Sequence, residues 1–171
     1  MKPVSVIDFA VYEDAKEFLG MAKVTMPDSV LKTVTVNGAG IAGDLKVPVL
    51  GQKEAQRATF EFIDNPIAAY RLAEERVHLL TLRVAHQSYD ATKGIIPTGQ
   101  KYVLSVYPIS KTGGEVAPAG QQSVTVEVAV LSRQDFINGT LVKHESVLGY
   151  LDVDSTGKNR LDEVKGILGK K

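Results

Sequence analysis

The chain contains no cysteine, which removes disulfides, thiolate nucleophiles and zinc–thiolate centres together. It has no excess charge of either sign, with 20 Lys and Arg set against 20 Asp and Glu. Proteins that grip nucleic acid concentrate positive charge, so neutrality argues against that role, though not against a protein that touches DNA without holding it. No apolar run nears the roughly 20 residues of a membrane-crossing helix. Met1-Lys2-Pro3 leads into no signal-peptide core, so the expectation is a chain that is soluble when made and has no membrane partner. Reaction motifs are missing as well. There is no G-x-S-x-G elbow, and Gly94 to Lys101 lacks the Gly-Lys-Ser/Thr ending of a phosphate loop. No catalytic residue, cofactor or metal is therefore expected. What remains is 171 residues, 44% hydrophobic and 23% charged, read as one globular domain over 1–171.

The most informative stretch is Thr33 to Val49, TVTVNGAGIAGDLKVPV. Gly38, Gly40 and Gly43 fit the G-x-G-x-x-G spacing of a dinucleotide site, and Asp64 sits where a ribose-binding acid belongs. That chemistry needs a helix opening at the third glycine, because helix amides hold the phosphates. Here Leu45, Val47 and Val49 alternate with Asp44, Lys46 and Pro48. The period is two, and Pro48 would break a helix. The segment reads as strand, glycine-rich tip, strand, with Val34, Val36, Leu45, Val47 and Val49 on an apolar side and Thr33, Thr35, Asp44 and Lys46 on the other. A two-stranded ribbon is marginal alone in water, so it must lie either on its own domain or on a neighbouring copy.

Short amphipathic strands fill the remainder. Val4–Tyr12 and Phe18–Met26 flank the polar turn Glu13–Lys16 as a first hairpin. Ala58, Phe60 and Phe62 alternate with polar residues up to Asp64. Asn65 then caps a helix with Pro66 at its first position and Ile67 to Arg76 as its body. Val77–Gln87, Tyr102–Ile109, Gln122–Leu131 and Ser146–Val153 read as strands. Ser88–Lys101 and Lys111–Gln121 read as loops. Asn138-Gly139 is the strongest hairpin-turn signal, and Asn159–Leu168 closes the chain as a short helix. The expected fold is mainly β: an antiparallel sandwich or half-barrel with one packed helix, a long hairpin and a short C-terminal helix. Its polar strand faces suit either a wet outer surface or the wall of a water-filled barrel.

Other candidate sites carry less. Asp152 to Glu163 approximates a calcium loop, but a strand precedes it and Asn159 stands where an aliphatic anchor belongs, so a polar turn is the better account. His78 and His86, eight residues apart on one strand and so about 26 Å from each other, cannot share an ion. With His144 they read as partly exposed strand histidines. Asn138-Gly139-Thr140 matches a glycosylation sequon but reads as a tight turn. Arg83 and Glu127 on polar faces read as solvated side chains.

The element order, together with Val24-Thr25-Met26-Pro27, Asn37-Gly38-Ala39-Gly40 and Val47-Pro48-Val49, and more weakly Leu161-Asp162-Glu163-Val164 to Leu168-Gly169, resembles the major tail tube protein of contractile-tailed bacteriophages and of R-type, phage-tail-like bacteriocins. The resemblance implies a structural protein, not an enzyme. It would form hexameric rings stacked helically into a hollow conduit for DNA or ions, its strands joining a larger barrel. Implied partners are other copies of the chain, a sheath protein, baseplate tube-initiator proteins, a tape measure protein and DNA in transit. The implied location is a virion tail or tail-like particle, assembled in the bacterial host cytoplasm. Val34, Val36, Asn37, Gly38, Gly40, Ile41, Gly43, Leu45 and Val47 would make the inter-subunit or inter-ring loop. Thr81, Arg83, Gln87, Ser123, Thr125 and Glu127 are candidates to face the lumen. Two alternatives stand beside this: the tube component of a bacterial contractile secretion system, and a β-barrel binding a small ligand or calcium within one subunit.

Overall fold

The computed structural model describes residues 2–170. In chain order the elements are β1 (Lys2–Glu13), β2 (Lys16–Glu17), β3 (Met21–Thr25), β4 (Leu31–Val36), β5 (Leu45–Lys53), β6 (Arg57–Ile63), α1 (Ile67–Leu72), β7 (His78–Asp90), β8 (Gly94–Thr112), β9 (Ser123–Ile137), β10 (Thr140–Ser146), β11 (Leu151–Val153) and α2 (Asp162–Ile167). One antiparallel sheet runs β11-β10-β9-β8-β7-β1-β2, with β6 joined to β9 and β3 to β6, while among the described residues β4 and β5 pair only with each other. The branch arises because β9 is long. Its residues 123–129 pair with β6 and its residues 132–137 pair with β10.

The sheet curls as a half-barrel around α1. Val124, Val126 and Val128 of β9, Phe60 and Phe62 of β6, and Leu104 and Val106 of β8 are all fully buried. They form one cluster with Val11, Leu80 and Leu82 and with Ala69 and Leu72 of the helix. Each fully buried large side chain contributes about 1.5–3 kcal/mol, so this cluster is the main source of stability. A polar knot holds the helix to the sheet. Glu13 at the end of β1 is 1% exposed and meets His78 Nδ1 at 2.7 Å, Arg76 Nη1 at 3.1 Å and Arg71 Nη2 at 3.5 Å. His78 Nε2 lies 3.0 Å from the Glu74 carbonyl. Burying a carboxylate without partners is very costly, and here α1 and its flank supply the partners.

Several sequence expectations need correcting. The first hairpin is only two residue pairs long, Tyr12↔Glu17 and Glu13↔Lys16, and β3 pairs with β6 instead of β1. Phe18, 3% exposed, still donates its amide to the Val11 carbonyl at 2.9 Å, and the turn at Leu19–Gly20, with Gly20 at φ 82°, then leads the chain away from β1. Ser88–Lys101 is no loop, since β7 and β8 stay paired from His78↔Val106 out to Asp90↔Gly94. Pro97 is tolerated because β8 meets β9 only from Gln100 onward, so Pro97 lies on a stretch with one free edge. Helix α1 stops at Leu72, and its cap is Pro66 with no side-chain cap bond; Asn65 Nδ2 donates instead to the Tyr70 hydroxyl at 2.9 Å. The stretch read as a strand from Ser146 to Val153 is interrupted by a turn between β10 and β11. His78 is fully buried, not partly exposed. The Asn138-Gly139 turn is present, with φ of 49° and 82°, the positive pair a two-residue hairpin turn demands.

Candidate assembly interface

The β4–β5 hairpin forms a sheet of its own. Val34 stands opposite Val47 and Val36 opposite Leu45, while Thr33 faces Pro48 and Thr35 faces Lys46. The two cross-strand apolar pairs therefore share one face. This face is not packed on the body: Val34 and Leu45 are each 53% exposed, Val36 39% and Val47 40%. Cross-strand pairs stabilise a ribbon by tenths of a kcal/mol to about 1 kcal/mol, and contiguous exposed apolar surface marks an interaction site. Asn37 and the tip that follows it are exposed. Within the tip, the Ile41 amide donates to the Gly38 carbonyl at 3.1 Å, Ile41 is 40% exposed, and Gly40 sits at φ +91° with open space where a Cβ would be. Gly43 follows at φ +140°. No nucleotide-binding helix starts there, because β5 begins at Leu45.

The six residues read as a polar face do fall on one side of the main sheet. Thr81, Arg83 and Gln87 alternate with Leu80 and Leu82, and Ser123, Thr125 and Glu127 alternate with the buried valines of β9. All six point away from α1. Three of them, Arg83, Ser123 and Glu127, have side-chain partners. Arg57 Nη1 donates to Glu127 Oε1 at 2.9 Å and Ser123 Oγ to Glu61 Oε1 at 2.9 Å, while Arg83 lies 5.6 Å from the centre of the Tyr12 ring.

A buried charge cluster at the root of the hairpin escaped sequence reading. The Lys53 ammonium at the end of β5 pairs with Glu145 and sits 3.4 Å from Asp152. Gln56 Nε2 donates to Glu145 at 2.9 Å, Lys143 Nζ lies 3.3 Å from Glu145, and Arg160 Nη2 lies 3.2 Å from Asp152. Burial alone would raise the Glu145 carboxyl, but the hydrogen bonds from Lys53 and Gln56 and the charges of Lys53 and Lys143 outweigh it and hold it below the ordinary value. Asp152, read from the sequence as the first position of a calcium loop, is thus a partner of Lys53 and Arg160, and Asn159 Nδ2 donates to Asp162 at 2.8 Å. The cluster borders a cavity of about 440 Å³ also lined by Gly51, Tyr150 and Leu161. Only the fold brings Lys53, Glu145 and Asp152 together, and no local pattern announces them.

A family model described as "Phage tail tube protein FII" matches residues 3–169. No curated protein sequence matches significantly. Among solved structures, the fold is similar to the sheath/tube terminator of an extracellular contractile injection system, PVC, in its extended state (TM-score 0.54, 14% identity, 80% of this chain and 98% of that one). It is similar to the tube-terminating cap of the anti-feeding prophage, with TM-score 0.54, 14% identity, and 80% and 93% of the two chains covered. It also matches a chain of the PVC sheath–tube complex at TM-score 0.54 and 14% identity, over 79% and 92% of the two chains. At such identity these likenesses speak to fold alone.

Proposed function

The chain belongs to the phage tail tube protein FII family, and from that premise we propose that copies of it close into hexameric rings and stack into the inner tube of a contractile tail or tail-like particle. As a family member it is a structural tube component and not an enzyme. The observation that carries the finer reading is the β4–β5 hairpin, which holds two cross-strand apolar pairs out of contact with its own body. Another copy of the chain is the partner that supplies the missing side, and closure of a ring or stack removes exposed sheet edges that would otherwise template aggregation. Residues Val34, Val36, Asn37, Gly38, Gly40, Ile41, Gly43, Leu45 and Val47 would make this contact, in the same ring or the adjacent one. The tip would order on contact, while Thr81, Arg83, Gln87, Ser123, Thr125 and Glu127 line the lumen. A chain with no net charge suits a conduit that passes DNA without retaining it. A sheath protein, baseplate initiator and tape measure protein complete the set of partners in this reading. The printed titles of the structural neighbours, which name sheath–tube and baseplate assemblies of injection particles, support the first two of these. They also favour a particle without a phage head as the second form of the same reading.

Negative-stain microscopy of concentrated protein tests the proposal: hollow tubes of stacked rings are expected, and only discrete compact particles under every assembly condition would refute it. Gly40→Val is the companion variant. A β-branched residue cannot hold φ +91° without strain, yet it meets no neighbouring atom, so the subunit should fold and fail to grow tubes.

A further inference from the structure

The hairpin is joined to the body at its root. On the incoming limb, the carbonyl of buried Pro27 accepts from Arg133 Nη1 at 2.8 Å, and Ser29 Oγ lies 3.3 Å from Lys143 Nζ. The two limbs are tied across by the Glu54 amide, which donates to the Val30 carbonyl at 2.9 Å. On the outgoing limb, Lys53 and Gln56 enter the charge cluster of Glu145 and Asp152, and the Val130 amide donates to the Gln56 carbonyl at 3.0 Å. Gly51, just before them, has φ +71°, and a Cβ there would collide with Leu161 Cδ2 and lie 3.0 Å from its Cδ1. Leu161 is 6% exposed, so its side chain is seated on the glycine. Asp152 and Leu161 both belong to the C-terminal segment, which Arg160 and Asn159 stitch to itself through Asp152. No other hydrogen bond or ion pair among the described residues fastens β4 or the outer part of β5 to the body.

We infer that the C-terminal segment 151–161 is a clasp that sets the direction of the hairpin. Leu161 over Gly51 and Asp152 beside Lys53 are its positioning residues. Without the clasp, the adjoining cavity of about 440 Å³ gives the outgoing limb room to swing about Gly51. The inference rests on the proposed role of the hairpin as the assembly contact and deepens it. A ribbon delivered at a fixed angle loses less freedom on docking, and that ordering cost otherwise subtracts from affinity. The clasp also means that any contact made on the C-terminal segment is felt at the hairpin root.

The absence of cysteine makes a direct test available. Spin labels are placed on Lys46→Cys in the ribbon and Thr92→Cys at the far turn of the body, with a second pair at Thr92 and Glu115 as a body-only reference, all on dilute, unassembled full-length protein. Pulsed dipolar spectroscopy should give a narrow ribbon-to-body distance distribution for the otherwise native chain. That distribution should at least double in width with Leu161→Ala, widen less with Asp152→Asn and stay near native with Leu161→Met. The reference pair should not change. A Leu161→Ala distribution as narrow as the native one, a native distribution already as wide, or equal broadening of the reference pair would each overturn the clasp. Tube formation is read separately at high concentration. Failure of the native protein to form tubes there counts against the assembly proposal and leaves the clasp result intact.

Discussion

Placing a charge on the apolar face of the hairpin should abolish assembly and leave the subunit folded. Val34, Val36, Leu45 and Val47 are 53%, 39%, 53% and 40% exposed, so roughly half of each side chain remains to be covered. Full burial of such a side chain is worth about 1.5–3 kcal/mol, which leaves about 1 kcal/mol available from each residue on docking. Val34→Asp forfeits its share and puts a carboxylate against Val47 of its own hairpin. Enclosing that carboxylate without a partner costs several kcal/mol. A net loss of about 3 kcal/mol per contact weakens each one roughly 100-fold, and every copy in a ring carries the same defect. In the free subunit the same substitution is half in water and forfeits the cross-strand pair with Val47, worth about 1 kcal/mol or less. That corresponds to a shift of about 4 °C or less in melting temperature for a chain this long.

The assay pairs tube yield, by sedimentation and negative-stain microscopy, with thermal melting of the dilute subunit. Val34→Asp should move the melting curve by no more than about 4 °C and remove tubes, whereas Thr35→Asp on the reverse face should keep substantial assembly. Tubes from Val34→Asp at the native threshold concentration would refute the reasoning. So would a fall in melting temperature beyond about 4 °C, which would mean that the face is packed on its own body.

Three further outcomes follow from the interior. Glu13→Ala strips the carboxylate from Arg71, Arg76 and the fully buried His78; breaking a buried ion pair this way costs about 3–5 kcal/mol, and urea unfolding followed by far-ultraviolet dichroism should show it. Gly51→Ala forces a Cβ onto φ +71° and against Leu161, costing about 1–2 kcal/mol for the backbone angle, with the side-chain clash added to it. In a double-mutant cycle, Leu161→Ala should therefore return about 1 kcal/mol of that loss, and strict additivity would deny the contact. Glu145 is held below its ordinary value of 4.5, so its contribution is present in full above that value and disappears as pH falls through the lower folded-state value. Protonation there leaves Lys53, Lys143 and the Arg160–Asp152 pair facing a neutral acid, with Arg133 nearby. Amide protection at residues 51–56, taken relative to the intrinsic exchange rate at each pH, should fall on acidification below pH 4.5 before that of the β9 core does, and Glu145→Gln should remove that acid sensitivity.

What could be read in advance was whatever the chain encodes locally. The period-two alternation of Val34, Val36, Leu45 and Val47 gave the ribbon its apolar face before any pairing was known, since side chains in a strand alternate by geometry alone, and the register of the two arms agrees. Asn138-Gly139 named its turn because few other dipeptides accept two successive positive φ values. What could not be read is where a strand goes after its turn. The polar turn at Glu13–Lys16 exists, with Asp14 and Ala15 at φ 48° and 62°, and the Phe18 amide still donates to the Val11 carbonyl at 2.9 Å, but the chain then turns away from β1 at Leu19–Gly20, where Gly20 has φ 82°. The next segment therefore pairs with β6, some 40 residues away in sequence. The same limit hid the clasp. Gly51, Lys53, Glu145, Asp152 and Leu161 are ordinary residues in ordinary local settings, and each acquires a role only where β5, β10 and the C-terminal segment converge. An amphipathic ribbon is legible because its alternation is local, although the same pattern also fits a face packed on its own domain. The device that aims it is not, because a buried contact between distant residues leaves the alternation of each strand unchanged. Amphipathic ribbons of this kind should accordingly show in sequence sooner than the packing that orients them, while which of their faces stays uncovered is read from the fold.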